Sequence, residues 1–459
     1  MALCRSLLRR HGVKDIRMRA SLCAPFSTST ARANELPLAG VRVLELGQLI
    51  AGPFAGQLLG QFGAEIIKVE APQKGDPLRV WRELDVDGCS PWFRSIGRNK
   101  RSVAIDLRTD EGRDLVRKLA LRSDVLIENF KPGTLEKWSL DAASLHPHNP
   151  DLIYTRVSGY GQTGPWAARP GFASVCEAES GFRFINGFPD PETGGLSGPP
   201  VRPNISLGDS VAGLHAAFGT VLALLQRQKK REKGEAGGTT VDVSILESML
   251  NLMEGIIPAY DRIGTVRGPS GSSVTGIVPT NAYPCLPAPS APTTPVYIVI
   301  GANGDSLYAR LMHLIGAPHL AGPRARAEPP ARRAPGGDRG RDRGVDARAQ
   351  RGGGGAAYGG GGGAGGARGE REGDRGGGAG AREGRGAGDG AADERGGGDG
   401  DGDGWHVKMP GTFPQLEGCD PKPRWAGPDL GAHTDEVLMG ELGLSAEEMS
   451  RLRREGVIE

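Results

Sequence analysis

Five short apolar runs recur along the first part of the chain: VRVLEL (41–46), EIIKVE (65–70), SVAIDL (102–107), DVLIENF (124–130) and DLIYTRVSGYG (151–161). Each is close to continuous rather than alternating, the pattern of a strand buried on both faces. Helical segments separate them. GQLIAGPFAGQLLGQFGA follows the first run as a glycine-containing turn into a helix. TDEGRDLVRKLALRS opens on Thr109 as an N-cap with acids in its first turn. Strands alternating with helices predict an α/β fold with a parallel sheet covered on both faces. Such sheets take ligands at the carboxyl ends of their strands. Here those ends are GQLIAGP, KVEAPQKGDP, ENFKPG and SGYGQTGP, all rich in Gly, Pro and polar residues.

The pattern continues and then stops. Residues 205–230 predict a long helix with small residues on one side, and VDVSILESMLNLMEGII a strand followed by a helix. GTVRGPSGSSVTG (264–276) reads as a flexible loop and VYIVIGA (296–302) as a further strand. From Ala321 to Gly404 there is no Leu, Ile, Phe, Met or Trp, and Val345 and Tyr358 are the only larger hydrophobes. A segment like that cannot bury enough apolar surface to offset its chain entropy. It reads as a disordered Gly/Arg/Asp linker, or as GC-rich coding sequence translated out of frame. An RNA-binding arginine–glycine tract fits less well, because Asp and Glu are mixed in throughout. Globular character returns at 405–459, where Ser445 stands ahead of Glu447 and Glu448 as a helix start.

With 459 residues the chain has room for two or three domains, and a net charge of +2 gives no reason to expect nucleic acid. No uninterrupted apolar stretch of about 18 residues marks a membrane span. Six scattered cysteines form no CxxC pair or zinc spacing, so reduced thiols and no metal site are expected. Residues 1–34 carry six arginines against one acid, Asp15, and end in FSTSTA. That composition predicts a mitochondrial transit peptide and a matrix location.

No Walker A loop, G-x-S-x-G elbow or metal motif is present, and no GxGxxG follows the first strand. What remains is one acidic stretch, GFASVCEAESGFRFINGFPD (171–190), with Glu177, Glu179 and Asp190. As local structure, Glu177 reads as a structural helix acid, Glu179 as a solvated one and Asp190 as a turn residue before Pro191.

Several segments in fixed order carry a resemblance: LPLAGVRVLELGQLIAGPFAGQLLGQFGAEIIKVEAPQKGDPLR, IGRNKRSVAIDLRTDEGRDLVRKLA, DVLIENFKPGTLEKWSL, SGYGQTGP and LGAHTDEVLMGELGL. Over about 37–318 and 405–459 the chain resembles the family III CoA-transferases (CaiB/BaiF type), nearest in motifs to their mitochondrial succinyl-CoA:glutarate branch. The resemblance implies a Rossmann-like, parallel-sheet large domain, a smaller α+β domain and an interlaced homodimer. It divides the chain into a leader (1–34), the large CoA-binding domain (35–230), the smaller domain (231–320), the low-complexity tract (321–404) and a return to the large domain (405–459). It implies CoA transfer from an acyl-CoA, with succinyl-CoA as donor and a dicarboxylate as acceptor, through an aspartyl anhydride and an aspartyl-CoA thioester. The CoA thioester is a substrate, and no tightly bound cofactor is expected.

Residue by residue, NGFPDP followed by LSGPP resembles the TGFWDG and GPP context of the formyl-CoA branch, which carries the nucleophile role onto Asp190. Glu177 is the second candidate carboxylate. Asn99, Lys100 and Arg101 in GRNKRS, and Asn129, Phe130 and Lys131 in ENFKPG, match CoA-lining positions, with Lys68, Lys74 and Arg79 as weaker candidates. Arg202 or Arg267 could hold the acceptor's far carboxylate. The family's racemase branch carries an aspartate where this chain has Ala173, which disfavours that chemistry. A CoA-dependent isomerase, or a CoA-binding protein without activity, remain as alternatives.

Overall fold

In the computed structural model, which describes residues 14–17, 36–287, 294–322, 406–417, 419 and 421–459, the five runs become strands of one sheet. They are β1 (Arg42–Glu45), β2 (Glu65–Glu70), β3 (Lys100–Ala104), β4 (Val125–Glu128) and β5 (Ile153–Ser158), joined by β6 (Thr239–Ser244). The order is β3-β2-β1-β4-β5-β6 and every pairing is parallel. That is the order of a doubly wound nucleotide-binding sheet, with its reversal between β1 and β4. SVAIDL forms its strand two residues early, starting at Lys100.

Alternating side chains sort to the two faces. Val43, Ile66, Val125 and Ile127 pack against helix α1 (Ala51–Gln61), while Leu44, Ile67, Val103 and Leu126 pack against α2 (Asp110–Ala120) and the C-terminal helices Thr434–Leu442 and Ala446–Arg454. Two more helices, α3 (Ala173–Glu179) and α4 (Leu207–Arg231), complete the α1 face. Each fully buried Leu, Ile or Val contributes about 1.5–3 kcal/mol. The helix starts are local chemistry. Thr109 Oγ1 accepts from Gly112 N at 3.0 Å, and Ser445 and Glu448 form a reciprocal capping box.

By length and mean hydropathy (1.3), α4 is long and apolar enough to cross a membrane, which the sequence reading did not anticipate. One face of it is inside the protein. Ala212, Ala216 and Thr220 are fully buried, and Thr220 Oγ1 meets Thr155 Oγ1 at 2.7 Å.

The chain divides into two compact units: Met1–Phe182, Pro203–Ile257 and Gly402–Glu459 in the first, Arg183–Arg202 and Pro258–Asp401 in the second. This shifts two expected boundaries. Residues 231–257 join the large unit, because β6 pairs with β5 along its whole length. Residues 183–202 join the small unit, where Ser270 N donates to Ile185 O and Gly271 N to Gly187 O. The second unit holds an antiparallel pair, β7 (Thr280–Cys285) and β8 (Val296–Gly301), with helix Asp305–Leu314 and a core of Tyr283, Ile300, Leu311 and Met312. Of the expected leader only Lys14–Arg17 is described, as a strand antiparallel to His406–Met409. The expected low-complexity tract lies outside the described residues after Gly322.

Helix α1 carries Gly52, Gly56 and Gly60 on the side that meets the sheet. A Cβ on Gly56 would stand 1.9 Å from Glu45 Oε2, inside a buried carboxylate. Gly56→Ala is therefore expected to cost about 1–3 kcal/mol by overpacking. The readout is the urea midpoint at constant slope; an unchanged midpoint would contradict the packing described.

Candidate functional site

The strand order reverses between β1 and β4, the place where sheets of this kind take ligands, and at that carboxyl edge stand the segment Leu46–Ile50, which leads into α1, and the loop Asn129–Gly133. Asn129 joins the two. Its Oδ1 accepts from Gln48 N at 2.8 Å, and its Nδ2 donates to Gln48 O at 2.8 Å. The packing beside it is tight: a Cβ on Gly47 would lie 3.1 Å from Gly52 Cα and 3.3 Å from Asn129 Oδ1. Phe130 N donates to Glu128 Oε2 at 2.7 Å, and Arg156 Nε to Glu128 Oε1 at 2.7 Å. The Phe130 ring meets Trp138 edge-on at 5.7 Å, and Lys131 is exposed. Asn129, Phe130 and Lys131 thus stand together at the carboxyl edge of the sheet.

Beneath this edge lies a set of buried charges. Glu45 and Lys68 are register partners on β1 and β2, with Lys68 Nζ 3.1 Å from Glu45 Oε1. Lys100 Nζ reaches the same carboxylate, 2.9 Å from Oε1 and 2.7 Å from Oε2. Lys68 Nζ also contacts Asp76 Oδ2 at 2.8 Å. Beside them, Arg79 holds Glu70 through Nε and Nη2, both at 2.7 Å, and Ser102 Oγ donates to Glu70 Oε1 at 2.7 Å. Three cations and three carboxylates balance. Burial works against the Lys68 ammonium, but Asp76, Glu45 and Glu70 together hold its pKa above the ordinary value. Burial pushes Lys100 down to about 8, against the pull of Glu45. Burial likewise opposes the Glu70 carboxylate, yet Arg79, Lys68 and Ser102 keep it below the usual range.

Asn99, Lys100 and Arg101 stand at the opposite end of the sheet, around the start of β3, and their side chains are engaged within the protein. Asn99 Oδ1 accepts from Arg424 N at 2.6 Å. Lys100 belongs to the buried set. Arg101 pairs with Glu65, Glu441 and Glu436 at 2.5, 2.7 and 3.2 Å. Of the weaker candidates, Lys68 and Arg79 are buried in the same way, and Lys74 is exposed.

The two candidate carboxylates fall in different units. Glu177, on α3 in the first unit, is fully buried, and its Oε1 accepts from Gly208 N at 3.2 Å in the first turn of α4. A carboxylate there satisfies an orphan amide and opposes the positive end of the helix dipole. Asp190, in the second unit, closes a turn. Its Oδ1 accepts from Thr193 N at 2.7 Å, Thr193 Oγ1 at 3.0 Å and Glu192 N at 3.0 Å. Those bonds, the Thr193 amide first, hold the Asp190 carboxyl below its ordinary value. The 264–276 loop is hydrogen-bonded to the same segment at Ile185 and Gly187, and a Cβ on Gly271 would press on Phe188 at 3.0 Å.

Sequence reasoning passed over Glu45, Asp76 and the structural role of Lys68. A signal was present: Glu45 and Lys68 are charges of opposite sign set inside otherwise apolar strand runs.

Comparison with known proteins agrees with this architecture. A family model described as CoA-transferase family III matches residues 38–342. Succinyl-CoA–D-citramalate CoA-transferase of Chloroflexus aurantiacus is 47% identical over 285 residues, 62% of this chain and 66% of that protein. The alpha subunit of that bacterium's succinyl-CoA–L-malate CoA-transferase is 40% identical, over 65% of this chain and 66% of its own length. Human succinyl-CoA:glutarate CoA-transferase is 35% identical, over 62% of this chain and 61% of its own length. The chain thus spans just under two thirds of the length of these relatives. Among solved structures, a CAIB/BAIF family protein from Brucella suis matches with a TM-score of 0.56 and 32% identity, covering 69% of this chain and 79% of that one. The family match over residues 38–342, together with these relatives, places the chain in CoA-transferase family III.

Proposed function

We propose that the protein transfers CoA from succinyl-CoA to a dicarboxylate, with Asp190 as the covalent nucleophile. The observation that carries this reading is the position of Asp190: an ionised carboxylate outside the core, on the segment to which the glycine–serine loop is hydrogen-bonded. The named relatives share succinyl-CoA and differ only in a dicarboxylate acceptor, which supports the donor and the acceptor class. Asn129, Phe130 and Lys131 would line the CoA site. The start of α1, with no acidic residue in its first turn and no side-chain cap, offers amides to a phosphate. Arg202 and Arg267, both in the second unit, are the candidates for the acceptor's far carboxylate.

The steps balance without any further cofactor. An Asp190 carboxylate oxygen attacks the thioester carbonyl, the C–S bond breaks, and CoA leaves as thiolate from a mixed anhydride. The thiolate attacks the aspartyl carbonyl, giving aspartyl-CoA and free succinate. The acceptor carboxylate then displaces CoA to form a second anhydride. CoA thiolate attacks the acceptor's acyl carbon, and Asp190 is regenerated. The anhydrides need shelter from water, a role suited to the 264–276 loop.

A homodimer belongs to the same reading. Leu214, Phe218, Val221, Leu222 and Leu225 form an exposed apolar stripe along α4, with Phe218 61% exposed. The arginine-rich, acid-poor residues 1–34 support a mitochondrial matrix location.

Two measurements test the reading. Incubation with succinyl-CoA and hydroxylamine should leave a hydroxamate on Asp190, located by mass spectrometry. Asp190→Asn should lose about a thousandfold or more of transfer. A label on Glu177 would move the nucleophile there, and no label with no transfer would sink the enzymatic reading. For the dimer, Phe218→Glu should shift the mass found by light scattering from two chains to one; a monomeric wild type would remove the dimer.

A further inference from the structure

The residues around the Gly47–Pro53 turn are held from beneath at four points. Lys68 Nζ donates to Gly47 O at 2.8 Å, and Lys100 Nζ donates to Pro53 O at 2.7 Å. Asn129 holds both the amide and the carbonyl of Gln48. Asp76 Oδ1 accepts from Leu49 N at 2.9 Å, and Leu49 sits at φ 62°, a conformation that a leucine rarely adopts. Strain of this kind persists where the surroundings over-determine the backbone, and it gathers at ligand sites. Lys68 and Lys100 are 2% and 1% exposed, so neither amino group reaches a ligand outside the turn. Glu45 lies between them, within 3.1 Å of both. It links the two anchor points through one carboxylate, and Gly56 leaves the space that carboxylate occupies. Asp76 supplies the second counter-charge to Lys68 while bonding the strained Leu49 amide.

We propose that Lys68 and Lys100 are positioning residues. As paired buried ammonium groups bridged by Glu45, they pin Gly47 before the turn and Pro53 in the first turn of α1, and so preshape the segment that receives CoA. This rests on the reading that the carboxyl edge between that turn and Asn129 is the CoA site. The lysine of the NKRS motif then acts on the ligand through Pro53, not by touching a phosphate. The advantage is preorganisation: a loop already in its bound shape loses little freedom when the ligand arrives.

The test is calorimetric titration of the full chain with free CoA. Wild type is compared with Lys68→Met, Lys100→Met, and the pair Glu45→Gln with Lys100→Met, which removes one charge of each sign. Leu119→Ala, a core truncation on the α2 face, serves as the control for general loss of stability. The expected result is a CoA dissociation constant about tenfold or more weaker in the lysine variants. Amide exchange at 47–52 should be faster in those variants, with the rest of the sheet still protected. The control should lose thermal stability and keep wild-type affinity. If a single lysine variant does not fold, the charge-neutral pair carries the same expectation. Unchanged affinity in folded lysine variants would overturn the proposal and leave the CoA reading standing. Equal weakening in the control would overturn it too, reducing the lysines to general stability. A folded wild type that does not bind CoA would overturn the site reading itself, and this inference with it.

Discussion

The Glu45 carboxylate, placed between Lys68 and Lys100 inside the sheet, is the contact on which the rest of the first unit depends. Burying an isolated charge costs several kcal/mol, and removing one partner of a buried pair costs about 3–5 kcal/mol. The set avoids that cost by closing on itself: each lysine meets a carboxylate and then spends a further proton on a backbone carbonyl. Sheet register is part of the arrangement, because Glu45 and Lys68 are direct partners across β1 and β2. A slip of one strand by one residue would turn its charge to the other face and part the pair. The same electrostatics therefore fix how the strands align and where the loop above them lies.

Much of the fold was legible because its signals are local. Apolar runs marked the strands, Thr109 marked the start of α2, and Ser445 with Glu448 marked the last helix. The carboxyl-edge loop ENFKPG was legible for the same reason, since a strand end is a sequence-local property. What was not legible is who meets whom. Arg101 looked available to a phosphate, but two of its carboxylate partners, Glu436 and Glu441, lie 335 and 340 positions away. Asn99 is claimed by Arg424, 325 positions on. No window of sequence contains both ends of such a contact, so GRNKRS shows its cations and not the groups they meet.

The acidic stretch 171–190 resolves along the same line. One segment of twenty residues crosses from the first unit into the second after Phe182. Glu177 stays in the sheet's unit and caps the helix α4, a task set by the orphan amides at a helix start. Asp190 lands on a turn whose amides and hydroxyl hold one of its oxygens. Burial separates the two. Glu177 is fully enclosed and holds a helix amide, whereas Asp190 lies on a turn outside the core.

That separation bears on how a CoA-transferase can work from these parts. The chemistry asks for a nucleophile that moves little and a nucleotide that is held through several acyl exchanges. Holding is a matter of preshaped backbone, and here the preshaping is electrostatic: Lys68 and Lys100 anchor the turn, Asp76 keeps Leu49 in its unusual conformation, and Asn129 ties the turn to the neighbouring loop. A loop whose ends are tied to a buried, charge-balanced core resists relaxing, because letting go would leave a charge unpaired in the interior.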